Sequence, residues 1–178
     1  MNTQRIGVLY RKSDYPGVFI RILVDAIDLA LIVVLYCGIL LTFFPSEVDQ
    51  LTVDRVFLVC FLFAFAYLGP WKATGKPTLG YWLCRVKVVN AEGNRISFWQ
   101  ATGRAFFIFL GPVNYLIDLF WLYGETPRQA LRDKALGSYF IKKSAIPESN
   151  GKIVVKILHV MGYRVRVEEI QKVSLEGG

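Results

Sequence analysis

GVFIRILVDAIDLALIVVLYCGILLTFF, residues 17–44, is an apolar run broken only by Arg21, Asp25 and Asp28. As a helix rising about 1.5 Å per residue it is long enough to cross the roughly 30 Å hydrocarbon core of a bilayer, so it is expected to be a first transmembrane helix. The three charges follow one another at spacings of four and three, which at about 100° per residue puts them on one face within an arc of about 60°. An ionisable group at the bilayer centre costs about 2.5–3.5 kcal/mol, so such groups persist where they pair, face protein or water, or lie near the interface. Arg21 stands close to the start of the run and can snorkel, with Asp25 as an i,i+4 partner. Asp28 lies about 10 Å deeper and is followed by sixteen uncharged residues, Leu29 to Phe44. It is expected to face a partner inside the protein.

Composition agrees with a membrane protein. Of 178 residues, 54% are hydrophobic, thirteen are Phe, and the mean hydropathy is +0.40, too apolar for an ordinary soluble domain of this length. The net charge of +7 comes from basic residues beside hydrophobic runs, as the positive-inside rule expects, and not along one polar face as nucleic-acid binding requires. Cys37, Cys60 and Cys84 form no C-x-x-C pair and no even framework, and are read as reduced thiols used as small hydrophobes. Residues 1–16 hold Arg5, Arg11 and Lys12 against one acid, Asp14, and lead into a run too long for a signal h-region. An N-terminal cytoplasmic segment and a retained first helix (17–44) are expected.

Pro45-Ser46 ends that helix, and Glu47, Asp49 and Asp54 make an acidic outer loop. A second span is expected at 53–71, with Tyr67 and Trp71 as interface anchors. Residues 72–103 are basic and too polar to span. Within them, 79–97 is expected to contain a cytoplasmic β-hairpin, Arg85–Val89 turning through Asn90-Ala91-Glu92-Gly93-Asn94 into Arg95-Ile96-Ser97. Ser97 is the expected N-cap of a following helix. The hydrophobic segment 105–123 is broken at Gly111-Pro112, carries Asn114 and Asp118, and is flanked by Arg104 on one side and Arg128, Arg132 and Lys134 on the other. Basic flanks at both ends favour a re-entrant pair of half-helices over a third span. Val86–Val89 is expected to pair with Ser138–Ile141. After a breaker-rich linker at 144–151, the tail (152–178) alternates as two strands around Met161-Gly162-Tyr163 and is expected to be a separate docking element. His159, the only histidine, has no companion ligand type nearby.

The segments R-I-L-V-D-A-I-D-L at 21–29, T-L-G-Y-W-L-C-R-V-K-V-V-N-A-E-G at 78–93, A-T-G-R-A at 101–105 and Q-A-L-R-D-K-A-L-G-S-Y-F-I at 129–141 resemble, in that order, the RDD family of membrane proteins over about residues 15–143. The resemblance implies that Arg21 is the family arginine, Asp28 its first aspartate and Asp133 its second. Asp25 and Asp118 are outside that signature. Members commonly carry Gly-Lys where this chain has Gly80-Tyr81, and often Gly-Thr where it has Gly137-Ser138. The family implies a part in transport, with cation–proton exchange proposed for some members.

The fold class expected is mainly α and integral to the membrane, with two spans, the broken segment, a small cytoplasmic hairpin and a β-rich tail. Two functions are carried forward. One is a non-transporting scaffold in the cell membrane, N-terminus cytoplasmic, whose charge cluster of Arg21, Asp25, Asp28, Arg104, Asp118 and Asp133 clasps the first helix to the cytoplasmic face. The other is a transporter or cation/proton-exchanging module acting as an oligomer, in which Asp28 with Asp25 or Asp118 titrates. Either implies the bilayer and a homo-oligomer or larger membrane complex as partners, without nucleic acid. No phosphate loop, nucleophile elbow or H-E-x-x-H motif occurs, so neither an enzyme nor a cofactor or metal is expected.

Overall fold

The computed structural model describes residues 5–43, 49–109, 116–117, 129–160 and 163–172. Ile6–Tyr10 forms β1, and after a 3-10 turn the first long helix, α1, runs Val18–Phe43. The second, α2, runs Gln50–Leu68 and is capped by Asp49, whose carboxylate accepts from the Thr52 amide at 3.2 Å. It passes through a 3-10 strap, Pro70–Thr74, that ends at Gly75 with φ 80°, where glycine carries no Cβ penalty. Among the described residues one helical stretch, Gln50–Thr74, meets the length and apolarity of a membrane span. Large apolar side chains stand exposed all round α2, Phe57, Leu58, Val59 and Leu62 among them. On α1, Phe19, Leu29, Val33 and Leu41 are exposed while Arg21, Val24 and Asp28 are buried. A helix apolar on its outer surface is suited to lipid.

Beyond the strap come a short helix α3 (Leu79–Leu83), β2 (Val86–Asn90), α4 (Phe98–Phe109), a second short helix α5 (Leu131–Ala135), and β3 (Ser138–Lys142). The expected pairing of 86–89 with 138–141 is present: β2 and β3 are antiparallel, with Val88 opposite Phe140. The two halves repeat. Each is a five-residue helix followed by a residue in the left-handed region, Arg85 (φ 52°) or Gly137 (φ 59°), and then a five-residue strand, with Val88 and Phe140 at the centre of the pair.

The 79–97 hairpin needs correction. The turn forms, with Asn90 Oδ1 accepting from the Glu92 and Asn94 amides and Gly93 at φ 79°, but α3 occupies the first part. Past the turn there is one isolated bridge, Val89 to Arg95. The return strand stops because Ser97 starts α4: its hydroxyl accepts from the Gln100 amide at 3.2 Å, and Gln100 Oε1 accepts from the Ser97 amide at 2.9 Å. That reciprocal capping box satisfies two otherwise orphaned donors.

β4 (Pro147–Val160) and β5 (Tyr163–Lys172) are the two strands expected in the tail. The tail is not a separate element, however. β4 begins inside the stretch whose breakers suggested a linker, because 147–152 pairs with β1, giving an antiparallel sheet in the order β1-β4-β5. This sheet packs on β2 and β3. Tyr139 and Ile141 from one face of β3 join Tyr10, Tyr15 and Ala145 in a core completed by Val8, Ile153 and Ile170. Phe140 points the other way and joins Val24 of α1, Tyr81 and Val86, as the period of two in a strand requires. The small sheet is thus sandwiched between the start of α1 and the three-stranded sheet, which is why 139–141 reads as an unbroken apolar run. Of the segment 105–123, residues 110–115 and 118–123 lie outside the described residues, and with them Asp118; so does the side chain of His159.

Candidate functional site

The buried face of α1 meets two carboxylate centres. In the first, Asp133, on α5 and 0% exposed, accepts from Arg21 Nη1 at 2.6 Å and from Arg104 Nη1. The same Arg104 nitrogen donates to Ser138 Oγ at 2.8 Å, while the Ser138 hydroxyl reaches the Asp133 carbonyl at 3.4 Å. The Arg21 guanidinium also lies 4.6 Å from the centroid of Phe140, a cation–π contact. One carboxylate therefore ties α1, α4 and α5 together. Beside it, Arg132 Nη2 reaches Asp25 Oδ2 at 3.3 Å. Arg21 and Asp25 consequently take partners more than a hundred residues away and not each other, because the protein offers each a less solvated counter-charge than the helix surface would.

Burial works against ionising Asp133, yet Arg104, Arg21 and Arg132 outweigh it and hold the carboxyl down at about 2. Burial likewise opposes the Arg104 cation, and Asp133 more than restores it, so its pKa is raised.

The second centre is Asp28, also 0% exposed. Its Oδ2 accepts from Thr78 Oγ1 at 2.6 Å, and its Oδ1 accepts from the Gly80 amide at 2.7 Å and from Tyr67 Oη at 3.2 Å. The Tyr67 hydroxyl accepts in turn from the Leu79 amide at 2.7 Å. Asp28 thus serves from a distance as the N-terminal cap of α3, whose own Thr78 makes no side-chain cap. The closeness of α3 to α1 depends on Gly80: a Cβ there would run into the Val24 carbonyl oxygen. Likewise Gly69, at the end of α2, lies where a Cβ would stand 2.8 Å from that of Ala105.

Of the residues singled out from sequence, Arg21, Arg104 and Asp133 come together, Asp25 joins them through Arg132, and Asp28 stands apart among neutral donors. Thr78, Gly80 and Ser138 were visible only as letters of weak motifs. Tyr67 read as an interface anchor, and its bond to Asp28 had no local signal. Tyr81 is buried edge-on against Phe140, and Lys72 from the strap lies 4.5 Å from its ring centroid. The arrangement locks elements together through paired charges, and Asp28 and Asp133 are both closed to solvent.

No curated protein and no solved structure matches the chain. A family model described as the RDD family matches residues 15–137, a region that holds both carboxylate centres. The chain belongs to the RDD family, a membrane-associated family.

Proposed function

We propose that this protein is a multi-pass membrane scaffold in which the Arg21, Asp133 and Arg104 clasp fixes the first helix to a cytoplasmic module of two stacked sheets. The observation that carries this reading is that Asp28 and Asp133 are both fully enclosed with their acceptors filled, one by three neutral donors and one by two arginines. A carboxylate that exchanges ions needs access to water on at least one side.

The described ends support a multi-pass arrangement. β1 precedes α1, and α2 returns to the strap that packs on α4, so α1 leaves the module and α2 comes back to it. Gln100 Nε2 donates to the Leu136 carbonyl at 2.8 Å, so α4 begins and α5 lies in one body. That common body supports the re-entrant reading over a third span. The basic flanks favour the cytoplasm for the side on which it lies.

Reconstitution decides between scaffold and exchanger. In vesicles holding a pH-sensitive dye, the purified protein is expected to give no proton movement on addition of sodium or potassium beyond that of protein-free vesicles. Cation-driven proton flux would establish the exchanger in its place.

A further inference from the structure

A second charged feature lies outside the clasp and has the opposite character. A cavity of about 340 Å³ opens between the strap, α3 and the β2 strand. Five basic residues line it from separate stretches of chain: Lys72 and Lys76 around the strap, Lys87 on β2, Arg95 after the turn, and Lys143 after β3. Among the described residues no carboxylate lines it. Among the described residues Arg5, Arg21, Arg104, Arg132 and Lys156 each sit within ion-pair distance of an acid, whereas these five have no such partner there.

The positive-inside rule accounts for basic residues near spans but not for their convergence on one concavity. Like charges gathered there repel, and an anion seated among them would relieve that repulsion. The geometry is built rather than incidental. Arg95 Nη1 donates to the Thr74 carbonyl at 3.4 Å, and its guanidinium lies across Gly75, where a Cβ would stand 2.6 Å from Nε. Lys72 is steered over the Tyr81 ring.

At the rim the chemistry turns apolar. Trp82, which lines the cavity, is 61% exposed, and Leu83 and Leu79 beside it on α3 are exposed too. Because α3 packs on α1, the membrane placement proposed above, on which this inference rests, brings that rim to the headgroup level, where tryptophan is favoured.

We infer that this cavity is a binding site for the phosphate of an anionic phospholipid, with the headgroup among the five cations and the acyl chains leaving past Trp82 and Leu83. Basic pockets on the cytoplasmic side are suited to such headgroups.

The test is titration of the detergent-purified full chain with dioctanoyl phosphatidylglycerol, dioctanoyl phosphatidylcholine and glycerol 3-phosphate, followed by tryptophan fluorescence and thermal shift. Phosphatidylglycerol is expected to bind and stabilise, and phosphatidylcholine to do so at least about tenfold more weakly. The double variant Lys87→Gln/Arg95→Gln should lose about tenfold or more in affinity for phosphatidylglycerol, at about a few-fold to tenfold per cation near a membrane surface. Lys152→Gln, an exposed lysine on β4, should leave affinity unchanged. Equal binding by the double variant and the wild type, or equal binding of the two lipids, overturns the site. Glycerol 3-phosphate binding as tightly as phosphatidylglycerol overturns the lipid assignment in favour of a soluble phosphate. Each of these results stands apart from the vesicle flux assay, so failure of this site and failure of the scaffold reading are told apart.

Discussion

Asp133→Asn removes a charge while keeping the side chain's shape, and so isolates the clasp. Arg21 and Arg104, at 1% and 3% side-chain exposure, are left as buried cations without their carboxylate, next to Arg132. Breaking a buried pair by deleting one partner costs about 3–5 kcal/mol. For a chain of this length that corresponds to a fall in melting temperature of roughly 6–20 °C, taking about 2–4 °C per kcal/mol. A second substitution should recover part of the loss. Arg21→Met in the Asp133→Asn background removes one of the two cations that faced that carboxylate, and the cycle of single and double variants measures the coupling. The same carboxyl sets an acid limit. Its folded pKa of about 2 lies below its ordinary 3.8, so its contribution is complete above about pH 4 and is lost as pH falls towards 2. That contribution is about 2 kcal/mol, from 1.36 kcal/mol per pKa unit. The assay is thermal unfolding in detergent for wild type, both single variants and the double. Asp133→Asn melting within about 0.5 kcal/mol of wild type, a typical surface effect, would refute the reasoning.

Three further outcomes follow from single residues. Arg85→Gly should raise thermal stability by up to about 1 kcal/mol, because a non-glycine residue at φ 52° carries about 1–2 kcal/mol of strain, offset in part by the extra freedom of glycine when unfolded; a lower melting temperature would mean that the arginine side chain outweighs its backbone. Gly80→Ala should lower stability by about 1–3 kcal/mol through the collision with the Val24 carbonyl, and a neutral result would place α3 further from α1. In a cysteine-free background, cysteines at Glu92 and Ser149 should both resist an impermeant maleimide in intact cells while one at Asp49 reacts; opposite behaviour of Glu92 and Ser149 would break the shared core of the two sheets.

How much of this was legible depended on the range of each signal. The helices at 18–43 and 50–68 announce themselves by length and apolarity, and Ser97 by its cap chemistry, because those signals are local. The pairing of β2 with β3 was legible because 86–89 and 138–141 are both short strand-like runs expected on the same side of the membrane, and the apolar 139–141 suits a strand covered on both faces. The hairpin was misread because a turn and a short alternating run are also what precedes a capping box, and Ser97 with Gln100 wins over two more strand residues. β1 was missed: five residues, Ile6–Tyr10, with a glycine among them and basic neighbours, become a strand only when β4 lies alongside. Within the clasp, the helical spacing of Arg21, Asp25 and Asp28 put them on one side but could not choose partners. Arg21 and Asp25 looked like a local pair, and it took the tertiary positions of Asp133 and Arg132 to separate them. Tyr67, Thr78 and Gly80 act on Asp28 through the fold alone.

The claim that these buried charges hold the protein together rather than move ions is tested most directly at Asp28. Its replacement by Asn keeps one acceptor oxygen and turns an amide group toward donors from Thr78, Tyr67 and the Gly80 backbone. A buried polar group left mispaired costs about 1–3 kcal/mol. Thermal unfolding and cation-driven proton flux are measured on wild type and Asp28→Asn from the same preparations. The account predicts a lower melting temperature for the variant and no flux from either protein; an unchanged melting temperature, with a flux in the wild type that the variant lacks, would contradict it.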